Sequence, residues 1–202
     1  MTASLLSLCT ILAVVPTFKG FDASRFQAHD ALIEKCVKEF NRHRGAWADA
    51  NRAQARQIPD LTCELLKAQM IQESGGKDVR SRRAWAVDPL QINVPGDWNE
   101  AKAALGLAKP VRRNEGNLEP NVRAAVKYLV RKGFSRSGRP VRLLKDMDFR
   151  DWHTALLRYN GRSDKMPTGI SYAEAYADQI IDRAELDEYV PIEISTRKKE
   201  GK

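Results

Sequence analysis

One carboxylate in this sequence stands where a carboxyl group would be poorly solvated. Within residues 61–74, Leu66, Met70 and Glu73 are spaced i, i+4 and i+7, so they share one face of a helix. A carboxyl group at the inner edge of an apolar face loses solvation when it ionises, which raises its pKa and lets it hold a proton near neutral pH. Such a group can protonate a leaving oxygen, as a general acid in sugar cleavage does. By position alone, a glutamate in the last helical turn before Gly75 and Gly76 is more often a surface residue.

Three further segments follow Glu73 along the chain and add context. The segment that contains Glu73 is QES at 72–74, and the three that follow it are DPLQIN at 88–93, NVRAAVKYL at 121–129 and ALLRYNG at 155–161. In this order they resemble the motifs of the soluble lytic transglycosylases and their goose-type lysozyme relatives. The resemblance covers about residues 47–184. In the second segment, Asp88 and Pro89 stand where the family has Gly and Leu.

The resemblance implies a mainly α, lysozyme-like domain with a groove for a glycan strand. It also implies cleavage of the β-1,4 bond between N-acetylmuramic acid and N-acetylglucosamine in peptidoglycan, without a cofactor and with 1,6-anhydro ends. Glu73 would be the only catalytic acid and base, Ser74 and Gln91 would contact the sugar, Tyr159 would hydrogen-bond Glu73, and Asn160 would hold backbone or sugar. One carboxylate suffices because the substrate supplies the attacking hydroxyl, whereas water-using glycosidases generally employ two.

Asp88 is the departure from the family pattern with the largest chemical consequence. It adds a carboxylate near the expected site, and as a second catalytic group it would make the protein a hydrolytic muramidase. The alternative is that Asp88 caps a turn or pairs with Arg82 or Arg83. Asp97 is a weaker candidate for a second catalytic carboxylate. A third possibility is a non-catalytic wall-binding component of an envelope secretion or phage machine.

Tryptophans near the motifs are candidates for stacking on sugar rings. Trp85, Trp98 and Trp152 lie close to the motif segments, and Trp98 is assigned to substrate binding, although tryptophan is as often a core residue. Trp47 is expected in the core.

The charge distribution indicates an anionic partner. The chain of 202 residues has a net charge of +8, and residues 101–150, with 13 basic and 4 acidic side chains, carry the whole surplus. The basic stretch 131–142 is expected to be a loop lying against an anionic wall polymer or against the carboxylates of peptide stems. A nucleic-acid partner would need a reading helix or a known nucleic-acid fold, and neither is evident.

The elements that must position these residues follow an α-helical pattern. Turn signals and apolar spacing predict helices over residues 22–42 (capped by Asp22), 46–57, 60–74, 120–132, 151–160 and 171–186. Loops and short helices are expected over 79–120, and the only strand candidate is 190–194. The domain is expected to span 22–190, ahead of a charged tail at 191–202.

Neither a metal nor a Ser or Cys nucleophile is indicated. Cys9, Cys36 and Cys63 form no CxxC pair, and the three histidines occur singly. Cys36 and Cys63 are either buried thiols or a bridge between two helices.

The N-terminal segment 1–21 is a candidate export signal. Its apolar run, residues 5–15, is too short to span a bilayer and resembles a signal-peptide core, but no Lys or Arg precedes it. A packing element is the alternative, so a periplasmic or cell-envelope location is expected with an uncertain export route.

Overall fold

The computed structural model describes residues 24–113, 115–134 and 148–185. Within these ranges the helices are α1 (Asp30–Arg42), α2 (Arg44–Ala48), α3 (Arg52–Ala55), α4 (Cys63–Ser74), α5 (Val79–Val87), α6 (Glu100–Ala103), α7 (Leu118–Phe134), α8 (Trp152–Asn160) and α9 (Tyr172–Glu185), with 3-10 turns at Ser24–Phe26 and Pro95–Asp97. The described part contains no strand, and its one isolated β-bridge joins Lys165 and Ser171. The prediction of a mainly α protein is confirmed.

Helix α4 is the central element of the fold. The Thr62 hydroxyl caps its N-terminus by accepting a hydrogen bond from the Leu65 backbone N–H at 3.1 Å. Every residue from 63 to 70 is buried, including polar ones, because α1, α5 and α9 all pack against this helix. A helix surrounded in this way holds its last turn, which carries Glu73, in a fixed position.

Helices α7, α8 and α9 form a second packed group, in which α8 contacts both of the others. The Asp151 carboxylate caps α8 by accepting from the Thr154 N–H at 2.5 Å, and Gly161 ends the helix at a φ of 70°. Because α9 packs against both α8 and α4, it connects the central helix to this group.

Several predicted helix boundaries need correction. The first long helix begins at Asp30, after a separate 3-10 turn, whereas the predicted cap Asp22 lies outside the described residues. The predicted helix 46–57 is two short helices, because Asp49 adopts a left-handed φ of 53° and ends α2. Residues 131–134, expected in a loop, complete α7, and 135–142 lie outside the described residues. The strand candidate 190–194 also lies outside them.

Cys36 is a buried free thiol, and burial raises its pKa to about 11. The Cys36–Cys63 bridge that the sequence allowed is therefore not formed. Among the described residues, no helix is both long and apolar enough to cross a bilayer.

Candidate functional site

Glu73 lies in the last turn of α4, half-buried, one residue before the helix ends at Ser74. Its Oε1 accepts a hydrogen bond from the Tyr176 hydroxyl of α9 at 2.6 Å. Burial raises the pKa of Glu73 to about 7, the Tyr176 hydrogen bond acts in the opposite direction, and the negative charge of Asp88 raises the pKa further. The predicted protonation of Glu73 near neutral pH thus agrees with its surroundings.

Tyr176 was not among the predicted site residues, yet it is the group that orients Glu73. The Tyr176 hydroxyl accepts a hydrogen bond from the buried Gln69 side-chain amide at 3.3 Å, so its proton points to Glu73. It lies on the face of α9 that also carries Ala173 and Ala177, both buried. Two small residues flanking a tyrosine at helical spacing allow close approach to α4, and this pattern was the available sequence signal.

Tyr159 was predicted to hydrogen-bond Glu73, and the structure gives it a different partner. Its hydroxyl donates to the Leu90 carbonyl oxygen at 2.8 Å, while its ring meets that of Tyr128 edge to face at 5.5 Å between centroids. Tyr159 therefore fastens the 88–93 loop to α8, and the hydrogen bond to Glu73 comes from Tyr176 instead. The pKa of Tyr159 is raised well above its usual value, first by burial and then by the nearby charge of Glu73.

Ser74 was expected to contact a sugar, but its side chain faces the protein interior. The residue is 3% exposed, and its hydroxyl lies 2.8 Å from the Pro89 carbonyl oxygen and 3.0 Å from that of Met70. The Ser74 hydroxyl therefore ties the end of α4 to the 88–93 loop.

Asp88 is the turn cap that the sequence allowed. It is fully buried, with Oδ1 accepting from the Ile92 N–H at 3.1 Å and Oδ2 accepting from the Asn93 N–H at 2.9 Å. Burial raises its pKa to about 6, against the lowering effect of these two backbone hydrogen bonds. Arg82 and Arg83 are both exposed, whereas Asp88 is buried, and neither arginine forms an ion pair with it.

The remaining predicted polar contacts lie at the ends of turns. Gln91 is half-buried, has a left-handed φ of 51°, and donates from Nε2 to the Asp88 carbonyl oxygen at 2.9 Å. Asn160, the last residue of α8, accepts from the Arg162 N–H at 3.2 Å through Oδ1. Both side chains are partly accessible, so a ligand contact stays a prediction for each.

An ion pair between Lys102 and Asp97 contributes to the electrostatics of Glu73. Lys102 of α6, with 1% of its side chain exposed, contacts Asp97 at 2.7 Å, whereas the Asp97 side chain is 73% exposed. Asp97 raises the pKa of Glu73 and Lys102 lowers it, which brings both groups into the electrostatic environment of the acid. Sequence reasoning overlooked Lys102, because a lysine in a charged four-residue helix carries no signal of burial.

The four tryptophans separate into two groups. Trp47 and Trp85 are buried, as predicted for Trp47. Trp85 stacks on His29, and half-buried Trp152 packs against Phe40 and Phe149 and donates to a backbone carbonyl. Trp98, next to Asp97, is half-buried, and Lys109 lies 6.0 Å from its ring centroid. A sugar contact for Trp98 stays a prediction.

The described residues form a mainly helical body, and the last turn of its central helix carries the half-buried carboxyl of Glu73. No group of three or more potential metal ligands occurs in the described part of the chain. Comparison with protein-family models, with curated proteins and with solved structures yielded no match to this chain.

Proposed function

We propose that this protein is a lytic transglycosylase that cleaves the MurNAc–GlcNAc β-1,4 bond of peptidoglycan, with Glu73 as its only catalytic acid and base. The observation that carries the proposal is the state of Glu73: a half-buried carboxyl with a pKa of about 7, held by the Tyr176 hydroxyl at 2.6 Å. The four-motif resemblance supplies the substrate class. A lysozyme-like arrangement of the helices with a glycan groove beside Glu73 is part of the same proposal.

The proposed reaction needs one group that gives a proton and later takes one. Protonated Glu73 donates to the glycosidic oxygen as the C1–O bond breaks, which releases GlcNAc as an alcohol. The resulting Glu73 carboxylate then removes the proton of the muramyl 6-hydroxyl, whose oxygen bonds to C1 and closes the 1,6-anhydro ring. A pKa near 7 suits both steps because neither form of the carboxyl is strongly disfavoured.

The surroundings of Asp88 support the single-carboxylate mechanism over the muramidase built on Asp88. An inverting or retaining hydrolase needs its second carboxylate open to water or to the sugar. Asp88 has no exposed surface, and both of its oxygens accept backbone hydrogen bonds. We therefore assign Asp88 the role of holding the 88–93 loop.

A second candidate function rests on Asp97. Its carboxylate is 73% exposed, is oriented by Lys102 and acts on the pKa of Glu73. If Asp97 activated a water molecule, the same site would hydrolyse the glycosidic bond and leave a reducing MurNAc end.

Digestion of purified peptidoglycan followed by mass spectrometry tests the proposal. We expect anhydro-muropeptides, each lighter by one water than the hydrolysis product, and a loss of at least about 100-fold in rate for Glu73→Gln, which cannot donate a proton. Asp97→Asn should keep the anhydro product. Reducing ends that disappear in Asp97→Asn would favour the hydrolase.

Release of no muropeptide by a folded wild-type protein would contradict an enzymatic role and favour a wall-binding component. Wild-type turnover in Glu73→Gln would show that another group is the acid. Because its proposed substrate is peptidoglycan, we also propose that the protein acts in the periplasm or cell envelope, including sites where a secretion or phage machine crosses the wall. Fractionation of the native host would test this location.

A further inference from the structure

Arg25 lies in the 3-10 turn ahead of α1, and its side chain reaches across to the end of the central helix. Its Nη2 donates a hydrogen bond to the Gly75 carbonyl oxygen at 2.6 Å, and its Nη1 donates to that of Gly76 at 3.1 Å. These two glycines, here called the 75–76 turn, directly follow the last turn of α4, which carries Glu73. A guanidinium suits this contact because its nitrogens can reach two acceptors at once.

The end of α4 has no left-handed residue to terminate it. Gly75 has a φ of −73°, whereas Gly161 ends α8 at a φ of 70°. The 75–76 turn is packed tightly instead: a Cβ at Gly75 would lie 2.4 Å from the Ile71 carbonyl oxygen, and one at Gly76 would lie 2.3 Å from the Ser81 hydroxyl oxygen. A cation at this position also complements the negative end of the helix dipole. The hydrogen bonds from the guanidinium therefore take the place of a left-handed cap.

The Arg25 side chain is itself held in place by aromatic packing. Its guanidinium carbon lies 4.3 Å from the ring centroid of Phe26. Phe26 is buried, and its ring meets that of Trp85 edge to face at 5.0 Å between centroids. Since Trp85 belongs to α5, the helix that follows the 75–76 turn, Arg25 is anchored to the element on the far side of that turn.

We propose that Arg25 is a positioning residue for Glu73: by holding the 75–76 turn, it keeps the last turn of α4 closed and the Glu73 carboxyl half-buried. This inference rests on the proposed function, in which Glu73 is the acid. The other charged and titratable groups around Glu73 are Tyr176, Tyr159, Asp88, Asp97 and Lys102. Within the described part of the chain, Arg25 contacts none of these groups, so it acts on Glu73 through the position of the helix end.

The test is a pH profile of kcat and KM on peptidoglycan for wild type and Arg25→Gln. The variant lacks the charged fork, so we expect kcat near neutral pH to fall about five- to tenfold while KM stays within about twofold. Because water then reaches Glu73, its pKa falls from about 7 toward its ordinary 4.5, and the alkaline limb of kcat/KM should move to lower pH by about half a unit or more. Arg25→Lys keeps the charge but cannot reach both oxygens, so it should restore only part of the rate.

Arg44 offers a matched control near the opposite end of α4. It too donates to two backbone carbonyl oxygens, that of Ile58 at 2.6 Å and that of Asn41 at 3.1 Å, and it also pairs with Asp60. Arg44→Gln should therefore lower the resistance to urea at least as much as Arg25→Gln does. It should nevertheless leave kcat and the alkaline limb at their wild-type values.

Three outcomes would overturn the inference. One is a wild-type alkaline limb in Arg25→Gln, and the second is an equal shift of the limb in Arg44→Gln, which would reflect general loosening of the fold. The third is a rise in KM at unchanged kcat in Arg25→Gln, which would make Arg25 a substrate contact rather than a positioning residue.

If wild type releases no muropeptide, the proposed function fails and the positioning role can still be judged. The pKa of Glu73, measured by NMR titration of its side-chain carboxyl carbon, then replaces the alkaline limb. A lower pKa in Arg25→Gln alone would uphold the role of Arg25, and equal values in wild type, Arg25→Gln and Arg44→Gln would refute it.

Discussion

Two effects act on the Glu73 carboxyl in opposite directions. Burial disfavours the charged form and raises the pKa, while the hydrogen bond from Tyr176 favours the charged form and lowers it. Since each pKa unit corresponds to about 1.4 kcal/mol, a pKa near 7 means that burial, together with the charges of Asp88 and Asp97, outweighs the hydrogen bond. Tyr176 thus orients the carboxyl without forcing it to ionise, which is what a general acid at neutral pH requires.

This balance predicts the effect of Tyr176→Phe. In the proposed reaction Glu73 must be protonated at the start, so kcat/KM of the wild type should fall as pH rises through about 7. Without the Tyr176 hydroxyl the charged form loses a hydrogen bond, the pKa of Glu73 rises, and this alkaline limb should move to higher pH. The measurement is a pH profile of kcat/KM on peptidoglycan.

Tyr159→Phe is the matched control for that experiment. Its hydroxyl donates to Leu90, so the substitution should lower the free energy of unfolding by about 1 kcal/mol and leave the alkaline limb in place. A limb that moves in Tyr159→Phe and stays in Tyr176→Phe would return the orienting role to Tyr159.

The hydrogen-bond partners of Tyr159 and Tyr176 show what local sequence patterns could not predict. Glu73 and the turn-capping role of Asp88 follow from local spacing, because each depends on residues within a few positions along the chain. The choice between Tyr159 and Tyr176 depends on how α8 and α9 lie against α4, and no local pattern contains that information. The burial of Ser74 against Pro89 could not be predicted for a related reason, since it comes from a loop 15 residues away.

At the scale of elements, the bounds of helices flanked by capping residues and glycines were predicted well. The Thr62 and Asp151 caps, together with the glycines after each helix, place α4 and α8 within a few residues of their observed bounds. Helix α5 lies in a region expected to hold loops and short helices; it begins at its own cap, where Asp78 accepts from the Ser81 N–H at 2.9 Å. Prolines and glycines further along that region obscured its nine-residue span.

Gly133 in α7 offers a prediction about element packing. A Cβ added there would lie 2.1 Å from a ring carbon of Phe149, which packs edge to face on Phe134 and Trp152. We expect Gly133→Ala to lower the free energy of unfolding by about 2 kcal/mol, since the ring cannot shift without disturbing its aromatic neighbours. Urea denaturation measures the effect.

Gly96 provides the comparison for that substitution. An added Cβ at Gly96 meets no atom within 4 Å, so Gly96→Ala should change the unfolding free energy by less than about 0.5 kcal/mol. Equal losses in the two variants would mean that general glycine replacement, rather than contact with Phe149, determines the cost.

At the scale of the whole molecule, the surplus of positive charge acquires a more specific interpretation. Residues 101–150 carry it, and the described part of this stretch includes both the buried Lys102 and the exposed Lys109, Arg112 and Arg113. Lys102 acts inward on Glu73 and Asp88, whereas Arg112 and Arg113 face outward. One basic region therefore contains a buried cation that acts on the site carboxyls and cations that face outward, and composition alone could not separate them.

The raised pKa of Glu73 makes the stability of the whole molecule depend on pH. Its pKa is about 7 in the folded state and 4.5 ordinarily, so between these values the folded state binds more protons than the unfolded state. The contribution of Glu73 to stability is therefore fully present below about pH 4.5 and is lost as pH rises through about 7. Asp88, with a pKa of about 6, acts in the same direction.

Replacing Glu73 with Gln should remove its share of this pH dependence. We expect the unfolding free energy of Glu73→Gln, relative to wild type, to increase by on the order of 2 kcal/mol between pH 4 and pH 8, because a neutral amide bears no cost of ionisation in the half-buried site. The burial of Asp88 is present in both proteins and cancels in this difference, whereas its repulsion with the Glu73 carboxylate is lost in the variant and belongs to the measured change. Urea denaturation of both proteins at the two pH values measures it. A difference that stays constant from pH 4 to pH 8 would mean that Glu73 ionises as freely in the folded protein as in the unfolded chain, which would also remove the basis for its role as the acid.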